Sequence, residues 1–178
     1  MPIVLIGPPG AGKSTVGPVL AGRLNAAFRD TDADVESAAG KPVADIFIED
    51  GETAFRELER QAVLKALSEH AGARVVAVGS GAVLDEQIRQ ALQKQETVVY
   101  LALDFTAVVK HAGLDKPRVV LPGNPRGRLR AMLEERRPLY EQLATFTVAD
   151  AGDLHPEETA DQILAGLGLA GPGLGADR

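Results

Sequence analysis

Apolar residues along this chain fall into two alternating kinds of run. Short unbroken ones read as buried strands: Pro2 to Ile6, Arg74 to Val78, and Thr97 to Leu103, with weaker runs at Ala26 to Arg29 and Ala144 to Ala149. Between them, apolar positions recur at helical spacing. Val16, Val19, Leu20 and Leu24 mark a first helix. Phe55, Leu58, Ala62 and Ala66, widened by Val63 and Leu67, mark a strong one from about Thr53 to Ser68. Leu129, Met132 and Leu133 form the inner stripe of a helix from Arg126 to Gln142, which Pro138 is expected to bend or end. Ile163, Leu164 and Leu167 close the chain in a helix from His155 to about Leu167. Residues 35–50 read as short helices broken at Gly40-Lys41-Pro42, and short helices are also expected from Glu86 to about Lys94 and from Phe105 to His111. Strands alternating with helices in this way predict an α/β fold.

The turn between the first strand and the first helix is Gly7-Pro8-Pro9-Gly10-Ala11-Gly12-Lys13-Ser14-Thr15. It fits the phosphate-binding pattern G-x-x-x-x-G-K-[ST] at every required position. Its glycines let backbone N–H groups turn toward one point, Lys13 adds a charge for the β- and γ-phosphates, and Ser14 offers a hydroxyl to Mg²⁺. Strand, glycine loop and helix together aim a helix N-terminus at a phosphate, so the chain is expected to bind a nucleoside triphosphate.

Composition narrows the rest. The 178 residues suffice for one domain, expected over 1–167, with 168–178 as a loose tail rich in glycine. A net charge of −6 disfavours nucleic acid as a partner. The absence of cysteine excludes disulfides and thiolate metal sites. No apolar run reaches membrane-spanning length and none resembles a signal peptide, so the reading is cytoplasmic with no membrane partner.

Several further segments carry chemistry. Asp30, Asp32 and Asp34 alternate at the end of the second strand, where ligands of α/β sheets collect. Asp30 and Asp32 would share a strand-like face as a Mg²⁺-linked carboxylate and a carboxylate for a substrate hydroxyl. The competing reading, helix capping, suits Asp34. Arg56 and Glu59 are neighbours on one helix face, which fits either an arginine fixed for a planar carboxylate or a solvated surface pair. Gly79-Ser80-Gly81 permits close approach of backbone to a ligand. Asp104 ends an apolar run as a metal-linked carboxylate would, but a helix follows at once, so it is read as a cap. The Gly- and Pro-bearing stretch 112–125 is long for a connection and reads as a lid that brings Arg118 to the transferring phosphate. Arg136 shares the apolar face of Met132 and Leu133 and needs an anionic partner, such as a substrate carboxylate.

Taken in order, these segments resemble the shikimate kinase family, from about Ile3 to Leu167. The resemblance rests on the phosphate loop, Asp30-Thr31-Asp32, Phe55-Arg56 with Glu59, the turn at 79–81, the arginine at 118 and Arg136-Arg137-Pro138-Leu139-Tyr140. It implies a nucleoside-monophosphate-kinase-like fold, three layers α/β/α around a five-stranded parallel sheet, with a mobile lid. It implies transfer of the ATP γ-phosphate to the 3-hydroxyl of shikimate, with Mg²⁺, in aromatic amino acid biosynthesis. The nucleotide would lie on Gly10, Ala11, Gly12, Lys13, Ser14 and Thr15, with Arg118 on its phosphates and Ser14 and Asp30 on the metal, Asp30 through water. Asp32 would bind the shikimate hydroxyls and accept the proton. Arg56 and Arg136 would clamp its carboxylate, Glu59 would orient Arg56, and Phe47 and Phe55 would line the ring pocket of an acceptor region at about 32–62. The catalytic set is then Lys13, Asp32 and Arg118, and the protein is expected to act as a monomer.

Three departures from the family pattern stand out. Ser80 replaces the middle glycine of the turn, and strain is expected there if that position needs a positive φ. Val119 replaces the proline after the lid arginine. His111 stands where an arginine often stacks on adenine, and the later adenine-side segment at Leu154 and His155 also lacks its usual arginine. Other readings are a P-loop kinase of another small acceptor, gluconate-like or nucleotide, and a degenerate nucleotide-binding regulator. A GTP-dependent switch is disfavoured, because neither N-K-x-D nor D-x-x-G occurs.

Overall fold

The computed structural model describes residues 2–69, 74–111 and 124–169, with backbone alone for His111. Five parallel strands form one sheet in the order β2-β3-β1-β4-β5. They are β1 (Ile3–Ile6), β2 (Ala27–Asp30), β3 (Arg74–Ala77), β4 (Thr97–Leu101) and β5 (Phe146–Val148). The helices are α1 (Lys13–Arg23), α2 (Thr31–Ala39), α3 (Val43–Glu49), α4 (Gly51–Ser68), α5 (Glu86–Gln93), α6 (Phe105–His111), α7 (Pro125–Leu143) and α8 (Pro156–Gly166), with a 3₁₀ turn at Ala82–Leu84. The expected α/β fold with a five-stranded parallel sheet is borne out.

Side chains of a strand alternate between faces, and here both faces are covered. Ile3, Leu5, Val75, Val99 and Leu101 point to the side packed by α1 and α8. Val4, Ile6, Val76, Val98 and Tyr100 point to the side packed by α4, α5 and α7. This explains the unbroken apolar runs: neither face of the central strands meets water. A third, smaller cluster of Val35, Ile46 and Phe55 joins α2, α3 and α4. With β1 between β3 and β4, the turn after β1 opens at the carboxyl edge of the sheet beside the ends of β2 and β3.

Helix α7 runs through Pro138 to Leu143, close to the expected end at Gln142, because Tyr140 and Leu143 beyond the proline are anchored in the core. Two local expectations are corrected. Helix α2 begins at Thr31, so Asp30 is its cap, with its carboxylate accepting from the Asp32 N–H at 3.0 Å, while Asp34 pairs with Arg29. Asp30 ends a strand and Asp32 sits in the first helical turn, so the two do not share a strand face. Asp104 does cap α6, accepting from the Ala107 N–H at 2.6 Å. Of the expected lid only residues 124 and 125 are described, and there Asn124 caps α7 by accepting from the Gly127 N–H at 2.8 Å. Arg118, Val119 and the tail beyond Leu169 lie outside the described residues.

Candidate active site

The site starts from the turn after β1. Gly10 and Gly12 adopt φ of 82°, a left-handed conformation that glycine enters without strain, and Gly12 caps α1. The amino end of α1 therefore faces a cleft of about 530 Å³. Lys13, its first residue, donates from Nζ to the carbonyls of Gly7 at 2.8 Å and Pro8 at 3.1 Å. Burial pushes the Lys13 ammonium down to about 8, against the opposing charges of Asp32 and Asp30. Thr15 bonds back to the Gly12 carbonyl at 2.9 Å.

Next to this loop stand the carboxylates of the β2–α2 junction. The Ser14 hydroxyl donates to Asp30 Oδ2 at 2.5 Å, so the cap of one helix meets the first turn of another. Asp32 lines the same cleft; burial and then the neighbouring Asp30 raise its carboxyl above the usual range, with Lys13 opposing. Among the described residues no cluster of three or more His, Asp or Glu side chains could cage a metal by itself. Magnesium at a nucleotide needs no such cage: it takes one or two protein oxygens, phosphate oxygens and waters. Ser14 Oγ and Asp30, two hard oxygen donors already in contact beside the phosphate loop, fit that demand.

The far side of the site is built on α4 and the turn after β3. Glu59 is 2% exposed, and its carboxylate accepts from Arg56 Nη1 at 2.5 Å. Burial raises the Glu59 carboxyl and the Arg56 bond opposes the rise. This is no solvated surface pair; the buried glutamate holds the guanidinium in place. The glycines of the turn explain how close the packing is. A Cβ at Gly79 would lie 2.6 Å from Asp32 Oδ1 and 2.8 Å from Glu59 Oε1, and one at Gly81 would strike the Arg56 guanidinium. Ser80 does not have a positive φ, so the serine is unstrained, and it lines the cleft where there is room for a side chain. The Phe47 and Phe55 rings lie 4.4 Å apart, with the Arg56 guanidinium 5.2 Å from the Phe55 ring.

Arg136 completes the set from α7. It is half-buried, its Nε is buried without a hydrogen-bond partner, and its charge acts on both Glu59 and Lys13. The fold thus gathers Lys13, Ser14, Asp30 and Asp32 on one side and Arg56, Glu59, Gly79, Ser80, Gly81 and Arg136 on the other. Arg118 and the side chain of His111 lie outside the described residues. Leu154 and Pro156 line the cleft opposite the phosphate loop, while His155 caps α8, its N–H bound by Glu158 at 2.8 Å. Two contributors lie inside the motifs that carry the resemblance but have no role assigned from sequence. Thr31 is fully buried and its hydroxyl accepts from the Gly79 N–H at 3.1 Å. Tyr140 is buried and its hydroxyl donates to the Ser80 carbonyl at 2.6 Å.

Comparison with known proteins bears on what this cleft serves. The family model described as shikimate kinase matches residues 9–167. The shikimate kinase of Thermobifida fusca is 54% identical over 168 residues, covering 94% of this chain and 95% of that protein. That of Streptomyces coelicolor is 48% identical over 167 residues, with the same coverage of 94% and 95%. The solved shikimate kinase from Acinetobacter baumannii, in complex with shikimate, superposes with a TM-score of 0.80 at 34% identity, covering 93% of this chain and 92% of that one.

Proposed function

This chain belongs to the shikimate kinase family, and from that premise we infer that it transfers the γ-phosphoryl group of ATP to the 3-hydroxyl of shikimate. The products are shikimate 3-phosphate and ADP, in a step of aromatic amino acid biosynthesis. The observation that carries this reading is the pair of arginines, Arg56 held by buried Glu59 and near enough to act on Asp32, and Arg136 with an unpaired buried Nε and near enough to act on Lys13, the lysine of the phosphate loop. Two fixed cations select an acid as acceptor over a neutral sugar.

The chemistry assigned to each residue follows from charge and place. Phosphoryl transfer asks the protein mainly for positioning and charge stabilisation. The amides of Gly10 to Thr15 hold the phosphates. Lys13 gives up its bonds to the Gly7 and Pro8 carbonyls for the β- and γ-phosphates, whose charge favours its protonated form. Ser14 and Asp30 would hold Mg²⁺, which when bound would neutralise phosphate charge. Arg56 and Arg136 hold the shikimate carboxylate, and the ring rests against Phe47 and Phe55, so binding energy goes into orientation. Asp32 orients the 3-hydroxyl. The hydroxyl oxygen forms its bond to the γ-phosphorus as the bond to the ADP oxygen breaks, and the proton passes to the Asp32 carboxylate. A carboxyl raised by its surroundings is a better acceptor for that proton. Arg118 closes over the γ-phosphate and His111 stacks on adenine. The working unit is a cytoplasmic monomer with one kinase domain over 1–167, and it uses neither nucleic acid nor a membrane. No described helix is long and apolar enough to cross a membrane.

The test is ADP release from Mg²⁺-ATP, with shikimate, gluconate or nucleoside monophosphates as acceptor. Release is expected with shikimate alone, and Lys13→Met should lower it by ~100-fold or more. Release with another acceptor, or none from folded protein that binds ATP, would overturn the reading.

A further inference from the structure

Tyr140 is among the largest fully buried side chains, at 1% exposure, and none of the chemistry assigned above uses it. Its ring stacks on Tyr100 of β4 at 5.2 Å, within the core between the sheet and α7. Phenylalanine would fill that place equally well. A buried tyrosine must find its hydroxyl a partner, and this one reaches the Ser80 carbonyl at 2.6 Å, 60 residues away in sequence. Burial also pushes the phenol well above its ordinary value, so it stays a donor at any working pH.

The carbonyl it holds belongs to the centre of the 79–81 turn. That turn is fixed on its other side by the Gly79 N–H bond to Thr31. Its two glycines are the surfaces against which Asp32, Glu59 and Arg56 rest. Tyr140 itself lies four residues after Arg136, on the same face of α7. One hydroxyl therefore links the helix that carries one arginine to the turn that backs the other.

We propose that Tyr140 is a positioning residue for the acceptor half of the site, its hydroxyl holding the Ser80 carbonyl and so setting Arg136 against the Arg56–Glu59 pair. The proposal rests on the acceptor reading given above. Its physical basis is tolerance: a binding constellation works only when held to within ~0.5 Å, and misplacement by ~1 Å can cost ~100-fold in rate. The Tyr140 hydroxyl bonds the Ser80 carbonyl and not the phosphate loop, so the nucleotide side should sense its loss less than the acceptor side.

Tyr140→Phe removes the hydroxyl and keeps the ring. The KM for shikimate should rise about five- to tenfold while the KM for ATP stays within about twofold. In the ligand-free protein, hydrogen exchange should speed up in the peptide covering 79–84, where the Ala82 and Leu84 N–H groups bond the Gly79 and Gly81 carbonyls, and not in the phosphate loop. A shikimate KM within twofold of wild type, equal rises in both KM values, or unchanged exchange at 79–84 would each overturn the proposal. Should the wild-type protein show no shikimate-dependent ADP release, the functional reading falls instead. The exchange measurement, which needs no substrate, then decides the strut by itself.

Discussion

Lys13 shows how a single residue can be poised against the fold that holds it. Without nucleotide its ammonium is withdrawn from water and bonded to two loop carbonyls, and burial brings it down to about 8 from an ordinary 10.5. Between pH 8 and 10.5 the unfolded chain thus keeps a proton on this lysine that the folded chain has released. Stability rises with pH wherever the unfolded state binds more protons. Lys13 therefore costs the ligand-free fold stability below pH 8, and the cost is withdrawn as pH rises to 10.5. Thermal unfolding of wild type and Lys13→Met, without nucleotide and at fixed ionic strength, should show wild type gaining on the variant across that window. A difference that stays constant from pH 7 to 10.5 would refute the assignment. The loop that carries Lys13 was legible in the sequence because its whole signal lies within nine consecutive residues. Thr31 and Tyr140 stand inside motifs that carry the family resemblance, but their roles were not legible, because each acts through a backbone partner 48 or 60 residues away and no local pattern encodes that distance.

At the scale of elements, periodicity located all five strands and the long helices, since both sheet faces are buried and each helix buries one stripe. What periodicity could not settle was punctuation. Three alternate aspartates all suit the start of α2, and only the course of the backbone selects Asp30 over Asp34 as the cap. Pro138 suits either a bend or a stop, and the core contacts of Tyr140 and Leu143 carry the helix through it. Asp104 is the instructive case, because an aspartate after an apolar strand has two readings with opposite consequences. Its carboxylate accepts the Ala107 N–H and so serves the first turn of α6. Asp104→Ala should cost ~1 kcal/mol, a fall of about 2–4 °C in Tm for a chain of this size, with kcat unchanged within about twofold. A loss of turnover by orders of magnitude, with Tm preserved, would make it a metal-linked carboxylate after all. Measuring both quantities on one preparation separates the two readings.

Across the whole molecule, burial is unevenly shared, and the uneven part is the acceptor side. Among the described residues two clusters of 17 and 15 buried apolar residues clamp the sheet, whereas the cluster joining α2, α3 and α4 has three buried members, Val35, Ile46 and Phe55, edged by the partly buried Ala39, Val43, Leu58 and Ala62. Fewer buried apolar contacts mean a lower free energy for local opening. The outer surface of α3 is also apolar: Ile48 is 81% exposed and Phe47 37%. Residues 31–49 should therefore exchange amide hydrogens faster than β1 and β3 in the ligand-free protein. On the proposed function, an acceptor bound between Arg56, Arg136 and the two phenylalanine rings would add contacts that exist only when this region is docked. A ligand that binds one state stabilises that state by its differential affinity. Saturating shikimate should then slow exchange over 31–49 more than over the sheet, and an ATP analogue alone should protect the loop at 7–15 instead. Equal protection of both regions by either ligand would mean that the acceptor side is as firmly built as the sheet, and that its small core is no measure of its stability.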